Sequence, residues 1–370
     1  MIIIAFDSYK GCLSAEAACR AAAEGVLACL PQAEVVCLPL SDGGEGMVDC
    51  LTKALALKKV YAHVHGPLME EQMSGYALSQ DGKTAYMEMA SACGLTLVPQ
   101  ELRNPMNTTT FGVGEMILDA VERGCRRIVM GIGGSATCDG GKGMVKALGS
   151  HLQDSPAGQC MIDGHEISVV VASDVTNPLY GPQGAAHVFA PQKGASAEQV
   201  ALLDERLRLF AQESEREGFA VPTQADAPGA GAAGGLGYAL MVYLKATLHP
   251  GIEMMLDAVS FEEQLEGADL VLTGEGRSDS QTLMGKVPQG VLLRAQRKRV
   301  PVWLLSGGVE DREELLAAGF QVVHSINEGD ARPLSELMKK EVAQSQIKRS
   351  VQELMKKNGL ECSKNTFGCV

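Results

Sequence analysis

Arg126-Arg127-Ile128-Val129-Met130-Gly131-Ile132-Gly133-Gly134-Ser135-Ala136-Thr137-Cys138-Asp139-Gly140-Gly141-Lys142-Gly143-Met144-Val145-Lys146-Ala147 is the stretch that decides the fold class. Its short apolar run, Ile128 to Met130 continued at Ile132, reads as a buried strand. The run breaks into Gly131, Gly133 and Gly134, then the small hydroxyls Ser135 and Thr137, then Asp139 and Gly140-Gly141, with a helix opening at Lys142 or Gly143. Strand, side-chain-free turn and helix start together leave backbone N–H groups open in a favourable dipole, where an anion approaches closely. A carboxylate in such a spot repels a bare phosphate, so Asp139 implies a metal ion or a hydroxyl awaiting deprotonation. The combination points to phosphoryl transfer.

The same alternation of short apolar runs with helical patterns continues from end to end, which is the pattern of an α/β protein. Ile2 to Phe6 reads as a first strand, followed by a helix capped at Ser14; further strands are expected at Val35 to Leu40, Tyr61 to Val64, Tyr86 to Met89, Val169 to Ala172, Leu270 to Leu272, Val300 to Leu305 and Val322 to Ile326. Helices are expected at Met47 to Leu57, Thr110 to about Arg123, Ala197 to Gly218 and Glu310 to Ala318, and a Lys- and Arg-rich surface helix at Glu336 to Asn358, with a frayed tail from Glu361 to Val370. At 370 residues two domains are the default. Strand–helix units at both termini resemble each other, so a discontinuous domain of residues 1–65 plus 287–370 is expected, with 66–286 inserted into it.

Composition excludes several classes. A net charge of −13 with 4% aromatics argues against nucleic acid, which needs a basic face and stacking rings. Eleven scattered cysteines, with no Cys-x-x-Cys pair, fit reduced thiols better than disulfides or zinc. The N-terminus lacks the basic region of a signal peptide. The uncharged stretch Ala227 to Leu244 is dense in glycine and holds Pro228, so it is not a membrane span. A soluble, cytoplasmic protein is expected.

Several constellations carry candidate chemistry. Asp42-Gly43-Gly44-Glu45-Gly46-Met47-Val48 echoes Asp139-Gly140-Gly141-Lys142-Gly143-Met144-Val145. An Asp cap with permissive glycines is the bland account, but capping needs no three glycines in four positions, whereas close approach of a ligand to the backbone does. Gly229 to Gly234 is a literal Gly-x-Gly-x-x-Gly that follows no strand, and Gly131 to Ala136 nearly matches it but lacks the acid that ribose recognition needs. Both read as anion-contacting loops. Lys10, just after Asp7-Ser8-Tyr9, places a point charge over strand ends, where open sheets bind ligands. Glu275, Arg277 and Asp279 follow a strand, with Lys286 close behind; a salt-bridged loop is the plain reading, and the glycines flanking Glu275 favour a carboxylate held against a metal or hydroxyl. Asp174 and Asn177 form an Asx turn or take part in the site. Seven isolated histidines give no triad.

Taken together, Asp7-Ser8-Tyr9-Lys10-Gly11, Leu40 to Gly46, Gly66-Pro67-Leu68, Glu88-Met89-Ala90, Gly131 to Gly141, Asp174 to Leu179, Pro191-Gln192-Lys193-Gly194-Ala195, Gly229 to Gly235 and Thr273 to Arg277 resemble the glycerate kinase family, in the right order through nearly the whole chain. The resemblance implies phosphorylation of D-glycerate by ATP with Mg²⁺, giving 2-phosphoglycerate (or 3-phosphoglycerate) and ADP. It implies a Rossmann- or flavodoxin-like domain from the chain ends, an inserted mixed α/β domain, a site in the cleft between them, and a monomer or homodimer. Cys138 departs from the family's usual Asn, and Tyr9 and Cys12 from Phe and Ser. Carried onto the motifs, Lys10, Asp42, Asp139, Glu275 and Arg277 are expected to act in catalysis and Asp174 and Glu275 to hold metal. Asp7, Ser8, Gly43, Gly44, Gly133, Gly134, Ser135, Thr137, Asn177, Gly231, Gly234, Gly235 and Lys286 are expected to contact substrate or nucleotide. A nicotinamide-dependent hydroxy-acid dehydrogenase and a non-catalytic nucleotide-binding module are the rival readings.

Overall fold

The computed structural model describes residues 1–44, 46–153 and 159–360, so the tail expected from Glu361 to Val370 lies outside the described residues. The chain divides into two compact units: Met1–Asp42 with Met255–Val370, and Gly43–Met254.

In the first unit, five parallel strands run in the spatial order Val322–Ser325, Val302–Val309, Leu270–Ser278, Ile2–Phe6 and Val35–Cys37. Numbered along the unit, this is the order 2-1-3-4-5, the flavodoxin-like winding, in which the sheet order reverses between the strands Ile2–Phe6 and Leu270–Ser278. Ile2–Phe6 is buried at every position because both faces of a parallel sheet are covered. Ile2, Ile4 and Phe6 pack into one cluster with Ala18, Ala22 and Val26 of the helix Ala15–Cys29 and with Ile347, Val351 and Met355 of the helix Lys340–Lys357. Ser14 caps the first of these helices, accepting from Ala17 N at 3.3 Å.

The second unit is built on a mixed six-stranded sheet in the order Thr247–His249, Ser168–Ala172, Arg127–Gly131, Thr84–Glu88, Glu71–Leu78 and Lys58–His65. The first four are parallel and the last two antiparallel.

Three expectations need correction. The contacts divide the chain at 42/43 and 254/255, not at 65/66 and 286/287. Lys58–His65 pairs with Glu71–Leu78 and Leu270–Ser278 pairs with Ile2–Phe6, so sheet pairing moves each strand across the expected border. Strand Leu270–Ser278 runs six residues past its apolar start, placing Glu275 and Arg277 on the strand and not in a loop after it. The C-terminal helix is no solvated surface helix: Ala343, Gln346, Ile347, Ser350, Val351, Leu354 and Met355 are buried.

The packing of that helix is tight enough to override helix propensity. A Cβ on Gly25 would sit 2.8 Å from the Lys348 carbonyl oxygen and 2.9 Å from Val351 Cβ. Replacing a mid-helix glycine with alanine ordinarily stabilises by about 1 kcal/mol. Here Gly25→Ala is expected to destabilise by about 1–3 kcal/mol through overpacking, measured by urea denaturation.

Candidate functional site

In an open parallel sheet a ligand crevice lies beyond the carboxyl ends of the strands where the order reverses. In the first unit this falls after Phe6 and towards the end of Leu270–Ser278. A cavity of about 430 Å³ lies there, lined among others by Asp7, Ser8, Lys10, Glu275, Arg277 and Lys286, with Ile326, Leu337 and Met338 on its apolar side.

The turn that follows the first strand is closed by its own backbone. Tyr9 N donates to Leu13 O at 2.9 Å and Leu13 N to Tyr9 O at 2.9 Å, with Gly11 at φ +74°. Tyr9 is buried and its hydroxyl donates to Leu305 O at 2.9 Å. The glycines around Glu275 serve this packing: a Cβ on Gly274 would lie 1.9 Å from Leu305 O, and one on Gly307 2.5 Å from Gly276 O.

Among the described residues of this unit, two carboxylates are buried. Asp7 is 4% exposed and Glu275 6%. Asp7 Oδ1 accepts from Ser8 N at 2.6 Å. Burial first, then the charge of Asp42, pushes the Asp7 carboxyl up to about 7, against the pull of Lys10 and the Ser8 N–H. Glu275 is also raised by burial, opposed by hydrogen bonds from Thr282 and Ser278 and by Lys286. Its Oε1 accepts from Ser278 Oγ at 3.0 Å and Thr282 Oγ1 at 2.7 Å. Its Oε2 faces Lys286 Nζ at 3.9 Å, and Asp279 is equally far from the same ammonium.

Lys10 reaches into solvent: its side chain is 69% exposed and it pairs with Asp42 at 3.1 Å. Arg277 is exposed and donates to Glu310 at 2.7 Å, with Asp279 at 3.8 Å. The structure therefore brings Asp7, Ser8, Lys10, Asp42, Glu275, Arg277 and Lys286 to one strand-end region.

In the second unit the residues of the glycine motifs divide. Gly133 and Gly134 follow the strand Arg127–Gly131, and the N–H groups of Gly133, Gly134 and Ser135 donate no hydrogen bond among the described residues. Gly134 O accepts from Leu95 N at 2.8 Å, and Ala136 N donates to Cys93 O at 2.9 Å, so the loop is held while those donors stay open. Thr137 is wholly buried and its Oγ1 has no partner among the described residues. Gly43 and Gly44 are closely packed: a Cβ on Gly43 would lie 2.8 Å from Ala172 Cβ, and one on Gly133 2.7 Å from Gly44 Cα.

Asp139, expected to act in catalysis, is held by four hydrogen bonds. Oδ2 accepts from Thr110 N at 2.9 Å, Thr110 Oγ1 at 2.8 Å and Gly143 N at 3.1 Å, and Oδ1 accepts from Gly141 N at 3.0 Å. Two of these bonds hold the start of the helix Lys142–Leu148 and two hold Thr110, just before the helix Phe111–Glu122. The echo motif resolves differently, for Glu88 supplies the carboxylate that receives Gly46 N at 3.2 Å and Val48 N at 2.7 Å, while Asp42 pairs with Lys10.

The second glycine run is explained by main-chain packing too. A Cβ on Gly231 would lie 2.3 Å from Pro178 O, one on Gly234 2.0 Å from Thr137 O, and one on Gly235 2.8 Å from Gly140 Cα. Asn177 Nδ2 donates to Gln183 O at 2.8 Å, and Asp174 Oδ1 accepts from Gly251 N at 3.0 Å, both bracing loops. Cys138 is buried in the hydrophobic core with its thiol pushed up to about 11 by burial. A buried ammonium, Lys193, is the site residue that reading for chemistry passed over; its signal was only a lysine within Pro191-Gln192-Lys193-Gly194-Ala195.

The described residues hold no group of three or more His, Cys, Asp or Glu side chains able to grip a metal by themselves. That fits Mg²⁺, which takes one or two carboxylates and completes its shell with phosphate oxygens and water. Glu275 fits as such a donor, since both hydrogen bonds fall on Oε1. No helix among the described residues is long and apolar enough to cross a membrane.

Comparison with known proteins settles the family. The sequence matches the glycerate kinase family over residues 2–358. The chain belongs to that family. It is 44% identical to a glycerate kinase of Bacillus subtilis (strain 168), over 90% of this chain and 92% of the relative. It is 43% identical to a glycerate 2-kinase of Escherichia coli (strain K12), over 88% and 91%. A solved chain from Salmonella typhimurium LT2, provisionally named glycerate kinase 2, superposes with a TM-score of 0.79 at 40% identity, covering 97% of this chain and 98% of that one. The protein is thus an α/β kinase, a phosphotransferase, and the dehydrogenase and non-catalytic readings fall away.

The buried Asp7 has a consequence for stability. A carboxyl whose folded value lies above its unfolded one stabilises fully below the unfolded value, and that contribution is lost as pH rises through the folded value. For Asp7 the window runs from about 4 to about 7. Asp7→Asn keeps an acceptor for Ser8 N and removes the buried charge, so it is expected to melt higher than wild type at pH 8, with the difference vanishing near pH 4. Parallel melting curves across that range would contradict the assignment.

Proposed function

We propose that this chain transfers the γ-phosphoryl group of ATP to a hydroxyl of D-glycerate, giving 2-phosphoglycerate and ADP. Family membership and the name of the Escherichia coli relative support the substrate and the position. The observation that carries the chemistry is Asp7: a buried carboxylate at a strand end, lining a cavity, with its hydrogen bond from Ser8 on Oδ1 alone.

Phosphoryl transfer asks a protein for alignment, charge neutralisation and a group that takes the hydroxyl proton. We assign the proton to Asp7 Oδ2, the carboxylate oxygen that carries no hydrogen bond among the described residues. The base is tuned by burial and by Asp42 to titrate close to the working pH, where general bases are most effective. Lys10, held by Asp42, and Lys286, held near Glu275, neutralise the oxyanions of the acid and of the moving phosphoryl. In the other unit, the open N–H groups of Gly133, Gly134 and Ser135 take phosphate oxygens. Mg²⁺ bound with the nucleotide would screen the phosphate charge, and Glu275 and, from the sequence, Asp174 are the residues proposed to hold it.

A coupled assay of ADP release tests this directly. Wild type is expected to release ADP only when D-glycerate is present, with phosphorus NMR showing the phosphate on the second carbon. Asp7→Asn is expected to cut kcat by about 10²–10⁴, and wild-type kcat to fall as pH drops through about 7. ADP release independent of the acid, or Asp7→Asn within a fewfold of wild type, overturns the assignment.

A further inference from the structure

Lys193 ends the short 3-10 turn Pro191–Lys193 and is 3% exposed. Its Nζ donates to Ser135 Oγ at 2.6 Å and to Thr137 O at 2.7 Å, two neutral oxygens of one loop. It forms no ion pair among the described residues. The ionisable groups acting on it are Cys93, Cys138 and Asp139. Burial pushes both thiols up, so they are neutral over the working range, and the Asp139 carboxylate makes no ion pair with the lysine, its oxygens accepting from Thr110 N and Oγ1, Gly141 N and Gly143 N.

A buried ammonium without an ion-pair partner is expensive. If the lysine only pinned the loop, a neutral amide would donate the same two hydrogen bonds without that penalty. The loop it holds is the one whose Gly133, Gly134 and Ser135 N–H groups are open, and in which the buried Thr137 Oγ1 has no partner among the described residues. Ser135 Oγ accepts from Lys193, which leaves its own proton to donate elsewhere.

We propose that Lys193 is a positioning residue for an oxyanion, charging the Ser135 hydroxyl and the Gly133–Thr137 loop so that they receive either a phosphate of the nucleotide or the carboxylate of the acid. The ion-pair partner is the substrate's oxyanion. The inference rests on the kinase reading above but is separable from it, because binding reads it without turnover.

The test uses the full chain with Lys193→Gln, which keeps a neutral donor, and Lys193→Met, which keeps only the length. Melting curves establish that each variant folds. Calorimetric titration with ADP and with D-glycerate at pH 7 is expected to show at least tenfold weaker binding in both variants for one of the two ligands: ADP if the oxyanion is a phosphate, glycerate if it is the carboxylate. Affinity of wild type for that same ligand is expected to fall as pH rises past about 8, where burial leaves the ammonium ready to lose its proton, and to stay flat in Lys193→Gln. If Lys193→Gln binds both ligands within twofold of wild type, the lysine is only a pin and the proposal is wrong. Normal binding by wild type with no ADP release would instead defeat the kinase reading and leave this result to stand by itself.

Discussion

Everything in the first unit turns on holding two ionisable carboxyls, Asp7 and Glu275, out of water at the ends of neighbouring parallel strands. The pairing Phe6↔Gly274 sets both side chains just past the sheet's reversal point. A carboxylate buried there is tolerable only with partners. Glu275 has two hydroxyls and a nearby ammonium, whereas Asp7 has one N–H and the more distant help of Lys10. That inequality matches the roles proposed for them: Glu275 is the better-bonded carboxyl, and Asp7 is the one raised to about 7 by burial and Asp42. The close main-chain contacts at Gly274 and Gly307 keep this arrangement rigid, since any side chain there would push the strands apart.

A sequence shows residue types and spacings, and these were enough where local physics decides. The short apolar runs inside Ile2–Phe6, Arg127–Gly131 and Ser168–Ala172 are strands of parallel sheets, which bury such runs on both faces. The Ser14 cap was equally local. Strand Leu270–Ser278 was legible only in its first half, because Gly274, Glu275, Gly276 and Arg277 have no strand preference of their own; pairing with Ser306 and Gly308 makes them extended. The C-terminal helix was misread for a related reason. Its buried face carries Gln346 and Ser350, and polar residues there hide the stripe from a hydropathy reading.

At the site, the strand-end cluster was legible and the division of labour was not. Asp42 and Asp139 head the same motif, yet one pairs with a lysine and the other holds a helix start. A carboxylate that holds a helix start and a reactive one look alike until their hydrogen bonds are counted. The glycines of Gly229 to Gly235 make room for neighbouring main chain, a use indistinguishable in sequence from making room for phosphate. Lys193 lay beyond reach because its meaning comes from a contact 58 residues away in the chain.

The account therefore stands on the ionisation of one carboxyl. Carbon-13 NMR of aspartate-labelled protein, with the Asp7 carboxyl resonance assigned by its loss in Asp7→Asn, measures it without reference to any substrate. A titration midpoint near pH 7 is the predicted result. A midpoint near 4, the value of a carboxyl in water, would mean that Asp7 is fully solvated by its surroundings and is not the poised base on which the rest is built.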